Sequence, residues 1–334
     1  MPDSAQDVNR IVCVGVVYID TILTVPHFPI EDEKLRAKEL TRRRGGNPAN
    51  TLEVLTQLLE HNPTPSKPKK KPTELYLLSV LPDKSSNATT FVRDSLPQAH
   101  LDESSIFRPG YTDTASSYII QSQETLSRTV VSINELPEMT ADEFIAKVTH
   151  MAINDDGTPW TKAWFHFEGR VPDITLQCVQ FLRKEFPHFQ ISVECEKPER
   201  TGMVQVARYA DVVFYSKLWA RKNGYMSARA FLDAQRTETR EDAVLCCTWG
   251  AGGAAAVEQG DGEVWADVEA WKSGSEGQEV VDTIGAGDTF IAGMLFALNE
   301  CGDWPLQRKL EFANQLAGRK VLQEGFESLG SKMW

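Results

Sequence analysis

The sequence contains no run of apolar residues that approaches the ~20 needed to cross a lipid bilayer. Its first ten residues are polar and acidic and lack the apolar core of a secretory signal. We therefore expect neither a membrane protein nor a secreted one, and the cytoplasm is the expected location.

The sequence also lacks an excess of positive charge. Its 35 Lys and Arg residues are outnumbered by 47 Asp and Glu residues, and the net charge is −12. A nucleic-acid-binding protein would normally present a basic face, so nucleic acid is not an expected partner. An acidic protein that binds a polyanionic nucleotide must build the anion site locally, from backbone N–H groups and a few basic side chains. Glycine-rich turns are the places to expect such a site.

The six cysteines show no C-x-x-C spacing, so zinc binding and thioredoxin-like chemistry are unsupported. The pair at 246–247 lies inside an apolar run, where neighbours point to opposite faces of a strand. We expect buried, reduced thiols in a reducing compartment.

Short apolar segments alternate with helical patterns along most of the chain. The segments predicted as buried strands are 11–17, 75–80, 163–167, 190–195, 211–215 and 243–248, and the predicted helices include 50–59, 174–186, 228–234 and 289–298. This alternation predicts a three-layer α/β fold with a mostly parallel central sheet. Ligands bind beyond the carboxyl ends of such strands. The first strand is expected to end at 18–20, which would place the Asp20 carboxylate at that edge.

Two stretches break the alternation. Residues 21–44 and 111–134 hold short β-like pieces and no long helix. They predict strands outside the main sheet, forming a small β-lid over its carboxyl edge. Residues 62–72 are rich in proline and lysine and are expected to form a solvated insertion.

The segment D-T-I-G-A-G-D at 282–288 has the strongest chemical signal. Small residues at a helix start let backbone N–H groups cradle an anion, helped by the helix dipole. Asp288 would then lie in the first helical turn, beside phosphate-binding amides, where a general base for an attacking hydroxyl is needed. Local pattern alone favours equally an acidic residue that only stabilises the helix start.

This segment resembles the second signature of the PfkB-type, or ribokinase-like, carbohydrate kinases. The first signature of that family is matched by G-G-N-P-A-N at 45–50, and the resemblance runs over nearly the whole chain, closest to the ketohexokinases. It implies a single ribokinase-like domain over 1–334, ATP and Mg²⁺ as cofactors and, as in many members, K⁺. It also implies phosphoryl transfer to a sugar hydroxymethyl group, with a ketohexose such as fructose as acceptor, and a homodimer formed through the β-lid.

The resemblance also implies a set of site residues. Sugar hydroxyls would be held by Asp20, Asn47, Asn50 and the backbone of Gly46, and Arg128 would reach the sugar or the transferred phosphoryl group. The anion hole would be formed by Gly285, Ala286 and Gly287, with Asp288 as the base. The nucleotide would lie against Trp249, Gly250, Gly253, Gly285 and Gly287. Lys217 would either touch the ATP phosphates or pair with Glu194 or Glu196.

Many family members carry an N-x-x-E segment that helps to organise magnesium, but here the corresponding stretch is S-K-L-W at 216–219. Ketohexokinases share that loss. Magnesium would then be held by nucleotide phosphates and waters, and no protein ligand is assigned. In the strand at 163–167 and just after it, His166 is expected to be a core residue, and Glu168 with Arg170 an orienting ion pair near the pocket.

Two alternatives remain open at this point. The sequence G-A-G-G-A-A at 250–255 satisfies the dinucleotide fingerprint G-x-G-x-x-A, which would indicate an oxidoreductase. It comes late in the chain, however, and no clear long helix follows it. The other alternative is a non-catalytic sugar or nucleotide sensor on the same fold, which an intact Asp288 and glycine turn argue against.

Overall fold

The computed structural model describes residues 8–63, 73–125, 127–273 and 279–334, so most of the lysine-rich insertion lies outside the described residues. The strands are β1 (Arg10–Val14), β2 (Tyr18–Val25), β3 (Glu39–Gly45), β4 (Glu74–Leu78), β5 (Val80–Leu81), β6 (Ala99–His100), β7 (Ile106–Phe107), β8 (Ala115–Ser122), β9 (Arg128–Ile133), β10 (Trp164–Phe167), β11 (Gln190–Cys195), β12 (Val212–Tyr215), β13 (Val244–Thr248), β14 (Ala254–Glu258) and β15 (Val264–Val268). The α-helices are α1 (Asn47–His61), α2 (Asn87–Ser95), α3 (Ala141–Met151), α4 (Pro172–Glu185), α5 (Met203–Ala207), α6 (Lys217–Lys222), α7 (Ala228–Gln235), α8 (Ala286–Glu300) and α9 (Leu306–Lys320).

Nine strands form the central sheet, in the order β15-β14-β13-β12-β11-β10-β1-β4-β6. The pairs from β6 to β13 are parallel, and β14 and β15 add an antiparallel edge. Apolar side chains from α3, α4, α5 and α7 pack on one face, and those from α1, α2, α8 and α9 on the other. The predicted three-layer α/β fold is therefore confirmed.

A separate four-stranded sheet, in the order β3-β2-β8-β9, forms the β-lid. Strand β2 pairs antiparallel with β3 and parallel with β8, so both lid segments predicted from the sequence contribute strands. The lid and helix α1 are directly connected, because β3 ends at Gly45 and α1 begins two residues later.

The prediction that the first buried strand runs to residue 20 is wrong. Strand β1 ends at Val14, and Asp20 is the third residue of lid strand β2. The reason is a contact with the distant Glu168, whose Oε2 accepts the Val16 N–H at 2.9 Å. A Cβ at Gly15 would lie 2.6 Å from the same oxygen, so the chain turns out of the sheet at this glycine.

All six cysteines are buried, as expected. Cys246 and Cys247 pack into the two opposite halves of the core, one on each face of β13. In the part of the chain that the structure describes, no helix combines the length and the apolar character required to span a membrane.

Candidate active site

The motif at 282–288 forms a tight turn that leads into α8. Gly285 is the N-cap residue, and its φ of 73° lies in the left-handed region that favours glycine. A Cβ on Gly285 would also lie 2.3 Å from the Phe326 ring. A Cβ on Gly287, by contrast, would meet nothing within 4 Å and would project into open space in front of the turn. The two glycines therefore shape the turn and keep a cradle clear before it.

The amides of this turn differ in their availability to an anion. The Ala286 N–H donates to the Thr283 carbonyl at 3.3 Å, so it is partly engaged. The Gly287 N–H lies in the first turn of α8, where amides have no intrahelical acceptor. The helix dipole adds positive potential at this point. Of the three residues predicted to form an anion hole, Gly287 has the most favourable amide.

Asp288 lies in the first turn of α8 with its side chain buried. Its Oδ2 accepts a hydrogen bond from Asn50 Nδ2 at 2.7 Å, and Asn50 Oδ1 accepts one from Arg44 Nη1 at 2.6 Å. Arg44 is itself buried and also pairs with Glu53. Because the guanidinium can only donate, it holds the amide oxygen of Asn50 and turns the amide N–H group toward Asp288.

The surroundings of Asp288 make it a stronger base than an exposed aspartate. Burial raises its pKa well above the ordinary value and the negative charge of Glu194 raises it further, while the hydrogen bond from Asn50 opposes both effects. Burial also raises the pKa of Glu194 to about 8, with a contribution from Glu196. A raised pKa means tighter proton binding, which suits a group that accepts a hydroxyl proton.

Asp20 approaches the same region from the lid. Its Oδ2 lies 3.7 Å from Arg43 Nε, and a Cβ at Gly45 would lie 2.7 Å from that oxygen. Burial raises the pKa of Asp20, and the positive charge of Arg43 and a hydrogen bond with Ser117 lower it in part.

The start of α1 supplies Gly46 and Asn47. Gly46 is the N-cap with φ 102°, and a Cβ there would lie 2.3 Å from the Val16 carbonyl oxygen. Asn47 Nδ2 donates to Glu194 Oε2 at 2.8 Å and lies 3.4 Å from Glu196 Oε2. The structure thus brings Asp20, Asn47, Asn50 and Asp288 to a single site, as predicted for a sugar pocket.

Two adjacent cavities meet at the glycine turn. The first, of about 390 Å³, has walls that are about as polar as apolar, and it is called the polar cavity because of its carboxylate and amide groups, which include Asp20, Asn47, Asn50, Glu194 and Asp288. The second, of about 900 Å³, has mostly apolar walls that include Trp271, Ala317 and Val321. Both cavities border Thr283, Gly287 and Phe290. Two ligands of different polarity could therefore meet in front of the Gly287 amide.

The structure separates the predicted nucleotide-side residues. Gly250, Gly253 and Gly287 line the larger cavity, Gly285 lines the polar one, and Trp249 and Lys217 line neither. Gly253, with φ 86°, packs so closely on β15 that a Cβ would lie 1.8 Å from the Val268 carbonyl oxygen. Lys217 Nζ lies 5.7 Å from the centre of the Trp249 ring. It makes no ion pair with Glu194 or Glu196, so the second of the two roles considered for it is not seen.

The comparisons with known proteins agree with this geometry. The family model described as "pfkB family carbohydrate kinase" matches residues 8–331. The chain belongs to this family. Mouse ketohexokinase is 30% identical over 328 residues, which cover 96% of this chain and 99% of the mouse protein.

Solved structures of ribokinases share the fold of this carbohydrate kinase. Arabidopsis thaliana ribokinase, complexed with ribose and ATP, superposes with a TM-score of 0.70 at 15% identity, and 98% of each chain is covered. Ribokinase from Cryptococcus neoformans var. grubii, in complex with ADP, gives a TM-score of 0.67 at 16% identity, with 97% of this chain and 98% of that one covered.

The structure does not support the dinucleotide-binding alternative for this PfkB-family kinase. Residues 250–252 form a single 3₁₀ turn, and the next element is the antiparallel strand β14. The fingerprint requires a helix after the glycines, because the pyrophosphate binds at the helix N-terminus. The oxidoreductase interpretation of this segment is therefore wrong.

Several residues of the kinase site depart from, or add to, the sequence predictions. Arg128 lies on lid strand β9, where its Nη1 is 3.8 Å from Asp282 Oδ1, and it does not line the polar cavity. Arg44 and Lys320, which contact Asn50 and Asp282, were not predicted as site residues. The run R-R-R directly before G-G-N was a visible signal for Arg44, whereas no local pattern marks Lys320.

The prediction that His166 is a core residue is confirmed. The charges of Glu168 and Arg170 interact, but the direct ion pair of Arg170 is with another residue. His166 is fully buried, with its ring nitrogens 2.9 Å from Ser192 Oγ and 3.1 Å from Glu194 Oε1. Arg170 pairs with Glu138 at 2.6 Å. Glu168 accepts the hydrogen bond from the Val16 N–H, and this contact shapes the turn after β1.

Proposed function

We propose that this kinase transfers the γ-phosphoryl group of ATP to the hydroxymethyl group of a ketohexose, with fructose to fructose 1-phosphate as the first candidate. The observation that carries the proposal is the position of Asp288 in the polar cavity, beside the turn that this cavity shares with the larger one. The similarity to mouse ketohexokinase supports the choice of sugar, and the ATP and ADP complexes of related ribokinases support the nucleotide.

In the proposed reaction the polar cavity holds the sugar and the larger cavity holds the nucleotide. The sugar hydroxyl oxygen forms the new P–O bond while the bond from the γ-phosphorus to the bridging oxygen breaks, and ADP leaves with that oxygen. The hydroxyl proton goes to Asp288. The Gly287 amide and the N-terminus of α8 stabilise the negative charge on the transferred group.

Sugar recognition is assigned to Asp20, Asn47 and Asn50. A neutral polyol is recognised by carboxylate and amide groups that accept and donate hydrogen bonds. The amide oxygen of Asn50 is already occupied by Arg44, so Asn50 mainly orients Asp288. Asp20 and Asn47 are left as the groups that distinguish one sugar from another.

Magnesium is expected to arrive with the nucleotide and to neutralise part of its phosphate charge. Among the described residues, no group of three or more His, Cys, Asp and Glu side chains is placed to hold a metal ion. This arrangement fits an ion held mainly by phosphates and waters. Glu194 and Glu196 border the polar cavity, as do Asp20 and Asp288.

The test is an ADP-release assay with fructose, tagatose, ribose, adenosine and glucose, each with and without potassium. Fructose or tagatose should give the highest kcat/KM, because the proposed acceptor is a ketohexose hydroxymethyl group. Preference for ribose or adenosine would keep the kinase activity and overturn the ketohexose assignment. If no acceptor gave ADP release while nucleotide binding was intact, the result would favour a non-catalytic sensor.

We also propose a cytoplasmic homodimer joined through the β-lid. The lid exposes large apolar side chains on three of its four strands: Leu40, Tyr118, Val130, Val131 and Ile133 are each half or more exposed. Exposed apolar side chains grouped on one sheet are typical of protein–protein contacts. The six buried thiols suit a reducing compartment such as the cytoplasm.

A further inference from the structure

Lys320 is a fully buried lysine at the C-terminal end of α9. Its ammonium donates to Asp282 Oδ2 at 3.0 Å, to the Asp282 carbonyl at 3.2 Å and to the Gln323 carbonyl at 3.3 Å. An ammonium has three N–H donors, so this cage of three oxygens satisfies all of them. The Phe326 ring lies 5.3 Å from the nitrogen and closes a further side.

The cage is built on the turn that shapes the anion cradle. The other carboxylate oxygen of Asp282, Oδ1, accepts the Ile284 N–H at 2.9 Å. Phe326, which covers the ammonium, is also the residue that packs on Gly285. The position of the Lys320 charge is therefore linked through Asp282 and Phe326 to both sides of the turn.

Two more cations approach the same carboxylate. Arg43 and Arg128 of the lid each place Nη1 3.8 Å from an Asp282 oxygen. Asp282 thus faces three positive charges, and the only further carboxylate described against them is Asp20, 3.7 Å from Arg43 Nε, although the whole chain carries −12. The local excess is of the sign that attracts phosphate groups.

Burial of an ammonium carries a large desolvation cost, and an apolar side chain often fills such a position at least as stably. Lysine is almost never fully buried unless it is paired. A purely structural brace therefore does not require a charge here, whereas a preorganised anion-binding turn does.

We propose that the Lys320 ammonium is a resident monovalent cation, which holds the Asp282–Gly285 turn in its anion-binding form and replaces a dissociable one. The inference rests on the proposed kinase function. Lys320 acts through Asp282 and is a positioning residue, since it touches neither proposed substrate. The kinase should then need no added K⁺, in contrast to the many family members that use this ion.

The first experiment uses the wild-type protein. Nucleotide affinity, measured by calorimetry with ATP, and turnover, measured by ADP release, should each agree within ~2-fold between potassium chloride and choline chloride at equal ionic strength. A gain of ~10-fold or more in potassium would show that a dissociable cation is required, and would overturn the proposal.

The second experiment removes the resident charge. Lys320→Ala leaves a cavity lined by three oxygens, and its ATP affinity should fall ~10-fold or more because a buried carboxylate loses its partner. Methylammonium should restore affinity in this variant, and choline, which is too large, should not. Lys320→Met fills the space without a charge, so this variant should bind ATP weakly whether methylammonium or choline is present. Unchanged ATP affinity in both variants would overturn the proposal.

Lys309→Ala is the matched control, because Lys309 is also a buried lysine of α9 and donates to the Gly302 carbonyl, far along the helix from the turn. It should leave ATP affinity and its salt response unchanged. The melting temperature of Lys320→Ala, compared between methylammonium and choline, gives a readout that needs no sugar.

If wild type phosphorylated none of the acceptors, the proposed function would fail. The comparison of melting temperatures and the ATP affinity would still decide the role of Lys320. If Lys320→Ala did not fold, the wild-type salt comparison and Lys320→Met would decide it.

Discussion

The side-chain amide of Asn50 lies 2.7 Å from the carboxylate of Asp288 and joins the two family signatures in one hydrogen bond. The two residues are 238 positions apart in the chain. Asn50 comes from the helix that follows the lid, and Asp288 from the helix that follows the glycine turn. The orientation of the proposed base is thus set by the element that also carries the proposed sugar-binding residues.

Asp288→Asn is expected to reduce turnover by at least ~10²-fold while ATP still binds, because the variant cannot accept the hydroxyl proton. ADP release at saturating sugar and calorimetry with ATP measure the two effects separately. Asp173→Asn, at an exposed position on α4, is the control and should behave like wild type. Near-full activity in Asp288→Asn would contradict the assignment of this residue as the base.

Arg44→Met should move the acidic limb of the pH dependence of kcat/KM to higher pH. The positive charge of Arg44 interacts favourably with the Asp288 carboxylate, so its loss raises the pKa of Asp288 further and protonates the base at a higher pH. The readout is kcat/KM across the acidic range, which reports the free enzyme. Arg42→Met, two residues earlier on the same strand and exposed, should leave the limb in place. If the acidic limb of the kcat/KM profile did not move in Arg44→Met, the proposed influence of Arg44 on Asp288, with Asn50 between them, would be excluded.

Glu194 should make the free energy of unfolding fall as pH rises from about 4.5 to about 8. Burial and the charge of Glu196 raise its pKa from 4.5 to about 8, so in this window the folded state holds a proton that the unfolded state releases. The stabilisation is complete below the unfolded value and is lost as pH passes the folded value. Glu194→Gln should flatten the dependence in urea denaturation curves, and Glu199→Gln, at an exposed position, should not. An equally steep dependence in Glu194→Gln would show that other groups cause it.

Gly287→Ala and Gly285→Ala should have opposite effects on stability. The added methyl at 287 projects into open space within a helix, so the melting temperature should hold or rise slightly while ATP affinity falls ~10-fold. At 285 the methyl meets Phe326 and the backbone has φ 73°, so the protein itself should be destabilised. Thermal melting and calorimetry on both variants test this. Undiminished ATP affinity in Gly287→Ala would argue against a phosphate at this amide.

Val131→Asp should convert the proposed dimer into a monomer without unfolding it. Val131 is 63% exposed on lid strand β9, so a charge there costs little in the monomer and disrupts an apolar contact between lids. Light scattering coupled to gel filtration gives the mass. Val264→Asp, on the exposed edge strand β15, is the control. A monomeric wild type, or a dimeric Val131→Asp, would contradict an interface through this face.

The sequence predicts the parts of this protein that depend on local pattern. The alternation of apolar strands and helices predicts the parallel sheet, and D-T-I-G-A-G-D predicts a glycine turn at a helix start because each residue type has a local conformational reason to be there. Asp288 and Asn50 could be named only through the resemblance to the two family signatures, because local pattern alone favours equally an acidic residue that only stabilises the helix start.

What could not be predicted depends on contacts between distant segments. Strand β1 stops early because Glu168, 152 positions away, binds the Val16 amide. The positions of Glu168 and Arg170 after a strand predict an ion pair near the pocket, but they give no sign that Arg170 pairs directly with Glu138, on the loop before α3. Lys320 is 38 positions from Asp282. It lies in a helix with many charged residues, so the sequence gives no indication that this lysine is buried. Each of these outcomes is decided by the packing of the whole sheet.

Asp20 lies on the lid and not on the central sheet, and this position affects how the proposed acceptor pocket is assembled. A carboxylate at a strand end of the sheet would be fixed to the same rigid body as Asp288. On β2 it instead belongs to the four-stranded lid, and Gly46 and Asn47 follow directly from the neighbouring strand β3. For the proposed reaction, the acceptor-binding carboxylate and the base therefore lie in different layers of the molecule. The alignment of the acceptor with the base then depends on how the lid packs on the helices of the central sheet.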